Sequence, residues 1–275
     1  MTKTIGALGR ASHPLPTAAV TVLATVLAAL LGARWPTLGI LVIAVASGQL
    51  SVGWLNDLVD RHRDRALGRT DKPVAMGQLP AGTVRVAIAV AVSCCVPASL
   101  ALGLAAGSAH LLAVAGAWAY NLVLKLTIWS WAPYAFGFGL LPVTVWLAAP
   151  VSGLPPWWMV VAAALLGVGA HGANVLPDLS GDRATGVAGL PHRLRPITLR
   201  LGMVAALFGA LVVLTVGPPG RPGPLAVAAL VVAAGLSLIA AGVGGHMLPP
   251  RSPFVAAVGV AGLAAFVLVA RGATG

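Results

Sequence analysis

Nine apolar stretches, each near the length a helix needs to cross a bilayer, leave this chain few ways to fold. They run over about 15–33, 36–55, 82–102, 106–124, 131–149, 156–176, 197–216, 223–243 and 253–270. A spanning helix takes about 20 apolar residues, so the pattern predicts an all-α, multi-span transmembrane bundle of about nine helices; the last stretch, 18 residues long, is the marginal one. Charged residues make up only 8% of the 275, against roughly 25% in soluble domains. Gly and Ala are plentiful enough for helices to approach closely in lipid.

Basic residues orient the bundle. With Lys3 and Arg10 on the cytoplasmic side, that side also collects Arg61, Arg63, Arg65, Arg69, Lys72, Arg85, Lys125, Arg183, Arg193, Arg195, Arg200 and Arg251. Only Arg34, Arg221 and Arg271 fall on the other side, a positive-inside asymmetry. The chain reads as a multi-pass protein of the cell membrane with a cytoplasmic N-terminus. Its net charge of +11 is taken up by this topology and by two basic loops, so no nucleic-acid partner is expected. Residues 1–14 are polar and the first apolar stretch is too long for a cleavable signal. Cys94 and Cys95 sit in no metal-ligand spacing and read as core. Trp129, Trp131, Trp157 and Trp158 stand at span ends and read as interfacial anchors.

Against this background the acidic residues stand out: six in all, every one an Asp, with no Glu. Five belong to two copies of one pattern. The first is Asn56-Asp57-x-x-Asp60-x-x-x-Asp64-Arg65-Ala66-x-Gly68, and the second Asn174-x-x-x-Asp178-x-x-x-Asp182-Arg183-Ala184-x-Gly186. Each copy opens one of two long loops, at about 57–81 and 178–196, and four spans separate them. This reads as a weak internal duplication within one domain over 1–275, with the ends of spans 2 and 6 facing each other across a central apolar cavity.

Spacings of i, i+4 and i+8 drift by only about 80° around an α-helix, so Asn56, Asp60 and Asp64 would line one face and Asn174, Asp178 and Asp182 another. Carboxylates this close repel unless protonated or bridged by cations. An oxygen-only set suits Mg²⁺, which commonly joins carboxylates to substrate phosphates. The predicted metal ligands are Asn56, Asp57, Asp60, Asp64, Asn174, Asp178 and Asp182. Arg65 and Arg183 hold equivalent positions in the copies, Arg69 and Lys72 follow in the first loop, and Lys125 ends span 4 on the same side. These cations suit a diphosphate, and each also serves the topology. Tyr120 and Asn121 lie one turn before Lys125, with Asn121 and Lys125 four apart on a shared face.

With these motifs the chain resembles the UbiA superfamily of intramembrane prenyltransferases. The family's NDxxDxxxD pattern is matched without a gap by Asn56, Asp57, Asp60 and Asp64, and its loop with a basic-Pro turn by Asp71-Lys72-Pro73 through Gly77. Asp178, Asp182, Arg183 and Gly186 match the second motif, and Leu190-Pro191 its following Leu-Pro. The chain departs from the family pattern at Gly189, where Thr is common, at Val175, which stands opposite Asp57, and at Leu126, where a second basic residue often follows. Tyr120 and Lys125 are also one residue further apart than in the family's YxxxK form.

The resemblance implies two Mg²⁺ ions, held by Asp60, Asp64, Asp178 and Asp182 with their neighbours, binding an isoprenyl diphosphate. Metal, Lys125, Arg and Lys would stabilise the departing diphosphate. The prenyl cation would wait in a dry cavity for an aromatic or other small lipophilic acceptor. Asp71 is a candidate base, or else a loop turn before Lys72-Pro73. His171 is a polar residue within a span, which makes it a functional candidate or a His hydrogen-bonded between helices. Tyr120, Trp54 and Trp118 offer cation–π help or packing. Other chemistry on the same fold stays open: a terpene cyclase acting on the prenyl diphosphate alone, or phosphoribosyl transfer to a polyprenyl phosphate. So does a transporter or non-catalytic binding protein, although the Asp residues gather at one membrane face rather than at its midplane.

Overall fold

The computed structural model describes residues 2–240 and 252–271. Arg251, used above for orientation, and positions 241–243 of the eighth predicted span lie outside the described residues, as do the side chains of Lys3 and Arg271. The described chain is helical and carries no strand. Its helices are α1 (Thr2–Ala11), α2 (Pro14–Leu30), α3 (Trp35–Ala66), α4 (Ala81–Ala101), α5 (Leu104–Leu122) and α6 (Ala132–Ala148). They continue as α7 (Trp157–Val175), α8 (Leu179–Ala184), α9 (Leu190–Arg193), α10 (Pro196–Val216), α11 (Pro224–Ala240) and α12 (Ser252–Arg271). Short 3₁₀ turns occupy Leu124–Leu126 and Leu176–Asp178.

The long helices α2 to α7 and α10 to α12 fall on the nine predicted stretches. By length and composition alone, Trp35–Ala66, Ala81–Ala101, Trp157–Ala184 and Pro196–Val216 suffice to cross a membrane, and α1 with α2, bent by 65°, makes a fifth crossing if taken together. Prolines open several helices: Pro14 begins α2, Pro196 begins α10, and Pro36 follows Trp35 in α3. Proline's fixed φ and missing N–H cost nothing in a first turn.

One boundary matters for the site. α3 does not stop near 55 with the apolar run but continues to Ala66, so the whole first motif is helical. Gly68, at φ +64, then turns the chain out, and the Arg69 N–H returns to the Asp64 carbonyl at 3.0 Å. The second copy ends in the same way. Gly186 sits at φ +82 and the Val187 N–H reaches the Asp182 carbonyl at 3.0 Å. A left-handed residue closing a helix in this manner favours Gly, which accounts for the shared glycine of the repeat.

Inside lipid there is no hydrophobic gain from bringing helices together, so close packing of small residues does the work. A Cβ on Gly167 of α7 would lie 2.3 Å from the Tyr134 carbonyl oxygen of α6, and one on Gly107 of α5 2.5 Å from that of Ser99 in α4. One on Gly53 of α3 would lie 2.6 Å from the Ser12 carbonyl oxygen, at the elbow between α1 and α2. The core runs through Leu41, Val45, Val145, Met159, Leu207, Leu211 and Val260. Val86, Val90, Leu112 and Val231 are exposed on the outer face. Two sequence expectations change here: Trp158 is buried in that core while Trp157 stays exposed, and Cys94 is exposed while Cys95 is buried. The apolar surroundings that suggested a core position for both cysteines include a lipid-facing side.

Gly167→Ala forces α6 and α7 apart and should cost about 2 kcal/mol of stability. Gly39→Ala, on an exposed face with nothing within 4 Å of the new Cβ, should cost nothing. Thermal unfolding of both variants in detergent checks this.

Candidate active site

The last turns of α3 bury three carboxylates, Asp57, Asp60 and Asp64, at 2%, 5% and 4% exposure. Asp60 is the most heavily held. Lys125 ion-pairs with its Oδ1, Arg63 reaches Oδ2 at 2.9 Å, and the Asn56 amide donates to Oδ2 at 3.1 Å. Asn56 also donates to Asn121 Oδ1 at 3.1 Å, and Asn121 donates to the Val52 carbonyl at 3.0 Å. α5 therefore grips α3 at the motif itself. Helix α5 breaks at Val123 and rewinds as a 3₁₀ turn. That break brings Lys125 onto Asp60 despite its extra residue of spacing from Tyr120. Asp57 Oδ1 accepts from Lys72 at 2.7 Å and lies 2.9 Å from His13 Nε2, while its Oδ2 is buried without a partner.

The second copy does not form the continuous helical face expected for Asn174, Asp178 and Asp182. α7 ends at Val175, residues Leu176–Asp178 wind as 3₁₀, and α8 resumes at Leu179. Pro177 is the cause, because it lacks the N–H and its ring clashes with the preceding turn. Asp178 pairs with Arg69 at 3.1 Å, and Asp182 Oδ2 lies 3.2 Å from His192 Nε2. Arg63 stands 3.9 Å from Asp182 Oδ1. Arg63 of the first copy and Arg69 just after it thus reach the second copy.

Arg65 and Arg183, equivalent in the repeat, do equivalent things, and neither pairs with a carboxylate. Arg65 Nε donates to the Ala75 carbonyl at 2.9 Å. Arg183 donates to the carbonyls of His192 at 2.9 Å and Leu194 at 2.6 Å. Each straps down the loop that follows its motif. Asp71 forms a two-pronged pair with Arg69 at 2.9 and 3.0 Å. Those hydrogen bonds pull its carboxyl down to about 2 against the opposing effect of burial, and raise Arg69 in turn. A carboxylate held that acidic is a weak base at neutral pH, and its geometry is that of an anchor for Arg69.

Beneath the charged groups lies an aromatic layer. Tyr120 meets Tyr134 edge-on at 5.1 Å and His171 at 5.7 Å, and Tyr134 lies 4.7 Å from His171. The Asn174 amide donates to the Tyr134 hydroxyl at 3.4 Å. His171 Nε2 is 3.3 Å from Ser130 Oγ, which also accepts the Leu190 N–H at 3.1 Å, while His171 Nδ1 is buried without a partner. A Cβ on Gly189 would stand 2.7 Å from the Lys125 carbonyl oxygen, so the second loop rests directly on the lysine turn and leaves no room for a Thr there. Further along α6 and α7 is a small, partly open apolar cleft lined by Leu23 and Leu27 of α2, Phe138 and Leu141 of α6, Met159 and Leu166 of α7, and Ala264 of α12. Phe138 is one helical turn beyond Tyr134, so cleft and aromatic layer share the α6–α7 pair.

Sequence reasoning passed over Arg63, His13, Ser130, Tyr134 and His192 as site residues. Arg63 was legible in principle, three residues beyond Asp60 on the same helix. The others reach the site only through tertiary contact. Among the described residues no three His, Cys or Asp side chains converge as a ready-made metal cluster. The site does suit Mg²⁺ chemically. It offers hard carboxylate and amide oxygens, and Asp57 Oδ2 is buried with nothing bound to it.

The sequence profile of the UbiA prenyltransferase family matches residues 17–246. The bacteriochlorophyll synthase 33 kDa chain of Cereibacter sphaeroides is 32% identical over 196 residues, which is 67% of this chain and 64% of that relative, so the match spans less than two thirds of its length. The fold is similar to a UbiA homologue from Archaeoglobus fulgidus bound to GPP and Mg²⁺, with TM-score 0.71 and 14% identity over 96% of this chain and 99% of that one. It is also similar to a UbiA homologue from Aeropyrum pernix K1, with TM-score 0.71 and 19% identity over 92% and 97%. Profile and relative together establish that this chain, an integral membrane protein, belongs to the UbiA prenyltransferase family.

Proposed function

We propose that the chain is an intramembrane prenyltransferase that ionises an isoprenyl diphosphate and transfers the prenyl group to an aromatic or other small lipophilic acceptor. The observation that carries this reading is the meeting of two aspartate motifs across Arg63 and Arg69, with an apolar cleft further along α7. The relative named as a bacteriochlorophyll synthase chain supports transfer to a separate acceptor over cyclisation. The homologue bound to GPP and Mg²⁺ supports a metal–diphosphate site.

In this reading Asn56, Asp57, Asp60 and Asp64 hold Mg²⁺ on one side and Asn174, Asp178 and Asp182 on the other, two ions for two clusters. Bound Mg²⁺ supplies Lewis-acid neutralisation of the leaving diphosphate. Arg63, Arg69, Lys72 and Lys125 stand among the carboxylates and take phosphate oxygens as the allylic C–O bond breaks, a preorganised electrostatic task. Arg65 and Arg183 hold the two loops over the substrate. The cleft takes the prenyl chain and keeps water from the cation, and the faces of Tyr120 and Tyr134 stabilise it. His171 and Asn174, at the same depth, meet the acceptor. The whole of 1–275 acts as one domain, with its loaded end at the cytoplasmic side as the basic excess indicates.

Asp60→Ala and Asp182→Ala should each lower Mg²⁺-dependent diphosphate release by about 100-fold or more while the protein still inserts and folds; unchanged turnover in both would refute the metal assignment. Arg63→Ala should lose a similar factor, whereas Arg65→Ala, acting only through its loop, should lose less than about tenfold. Both follow from steady-state diphosphate release. Incubation with Mg²⁺ and geranylgeranyl diphosphate alone should give no cyclic hydrocarbon, and a cyclised product would replace the transferase reading with a cyclase.

A further inference from the structure

His13 is the only non-glycine residue among those described with a left-handed backbone, at φ 53 and ψ 65. That conformation costs a non-glycine residue stability unless its surroundings require it. His13 forms the elbow between α1 and α2, where the chain bends by 65°. Its Nε2 lies 2.9 Å from Asp57 Oδ1 and 3.2 Å from Lys72 Nζ, and Lys72 Nζ lies 2.7 Å from the same oxygen. The three side chains close a triangle drawn from the elbow, from α3 and from the first loop.

The elbow is tied down on every side of that triangle. The Gly53 Cα is so close to the Ser12 carbonyl that a Cβ would fall at 2.6 Å. Trp54 Nε1 donates to the Leu8 carbonyl at 2.9 Å, and Arg10 donates to Gln78 of the first loop at 2.8 Å. Asp57 is also the one carboxylate of the first motif with no counterpart in the second, where Val175 stands. The extra carboxylate and the strained His therefore serve something that only the first half of the site has, and what they share is Lys72.

Building on the proposed diphosphate site, we propose that His13 is a positioning residue: with Asp57 it seats the Lys72 ammonium so that a remaining N–H is presented to a substrate phosphate oxygen. An ammonium has three donors, and the triangle engages at most two. A lysine on a flexible four-carbon stem is a poorly aimed point charge unless held. With the seat in place its rotamers are restricted before the anion arrives. The N-terminal elbow thereby becomes part of the diphosphate site, although no residue before α3 belongs to either aspartate motif.

The two roles open to His13, shaping the turn or seating Lys72, predict opposite results for His13→Gly. Glycine adopts φ 53 freely, so a turn-shaping role predicts unchanged binding and equal or higher thermal stability. Seating predicts equal or higher thermal stability together with about tenfold weaker binding of Mg²⁺–inorganic diphosphate, measured by calorimetry on the full-length protein in detergent. Lys72→Ala should weaken binding similarly, and the double variant should be no weaker than Lys72→Ala alone, since the two act through one contact. His13→Gln, whose amide can donate to Asp57 through its nitrogen or accept from Lys72 through its oxygen, should recover most of the affinity. Wild-type affinity in His13→Gly, or additive losses in the double variant, would overturn the inference. A wild-type protein that binds no Mg²⁺–diphosphate would instead remove the diphosphate site itself, and this inference with it.

Discussion

Neutralising the buried carboxylates of α3 is the requirement on which the charged end of this protein depends. Asp57, Asp60 and Asp64 lie within two helical turns and are almost fully buried. An uncompensated ion in such a place costs several kcal/mol. Each partner of these carboxylates comes from a different part of the chain. Lys125 follows α5, Lys72 comes from the first loop, His13 from the elbow and Arg63 from α3 itself. The pairs do more than cancel charge: they dictate where the elbow, the first loop and the end of α5 must sit. The same cations are those a diphosphate would recruit. Asp57 and Asp60 and their partners hold one another in place, while Asp64 is buried with no ion pair of its own and Asp57 Oδ2 has no partner, which leaves capacity for a further cation at this end.

The internal repeat has a common frame and a different filling. Both copies end in a Gly-closed helix terminus, and both use the Arg after the last Asp to strap the following loop. These shared parts are mechanical. Pro177 breaks the second copy into a 3₁₀ turn while the first stays α-helical, and Val175 stands where the first copy has Asp57. The differences are electrostatic. The rigid first copy buries its acids and carries Arg63, with Arg69 just beyond it, while the second holds Asn174 and Asp178 exposed. One half is preformed, and the other is open to an arriving headgroup.

Much of this was legible in the sequence because local spacing carries it. The nine helices follow from apolar length, and the burial of Asp60 and Asp64 on one face follows from a four-residue period on an unbroken helix. The contact of Asn121 and Lys125 with the first motif follows the same logic, since both stand at the end of an apolar run. The second copy misled because the repeat invited one geometry for both, and Pro177 outweighed the register. Arg65 and Arg183 show a subtler limit. Their equivalence was visible, but direction depends on which carbonyls the folded loops bring within reach. His13 was invisible: its partners lie 44 and 59 residues away, and its strain is a backbone property that no composition or periodicity reports.

The aromatic layer explains how a site built from ions can adjoin a cleft built from hydrocarbon. Under the proposed function charge is created at that boundary, and the low dielectric around it makes any cation costly unless something polarisable lies close. Tyr120 and Tyr134 meet edge to face, and the Tyr134 hydroxyl accepts from Asn174 of the second motif. Ser130 adds a connection. It joins His171 to the backbone of Leu190, and the loop bearing Leu190 rests on the turn of Lys125 through Gly189. The second loop, the lysine on Asp60 and the histidine beside the tyrosines therefore cannot shift independently. Under the proposed function, the lysine that would grip the phosphate and the histidine that would meet the acceptor are thus held by one packed unit, and a change in either is felt by the other.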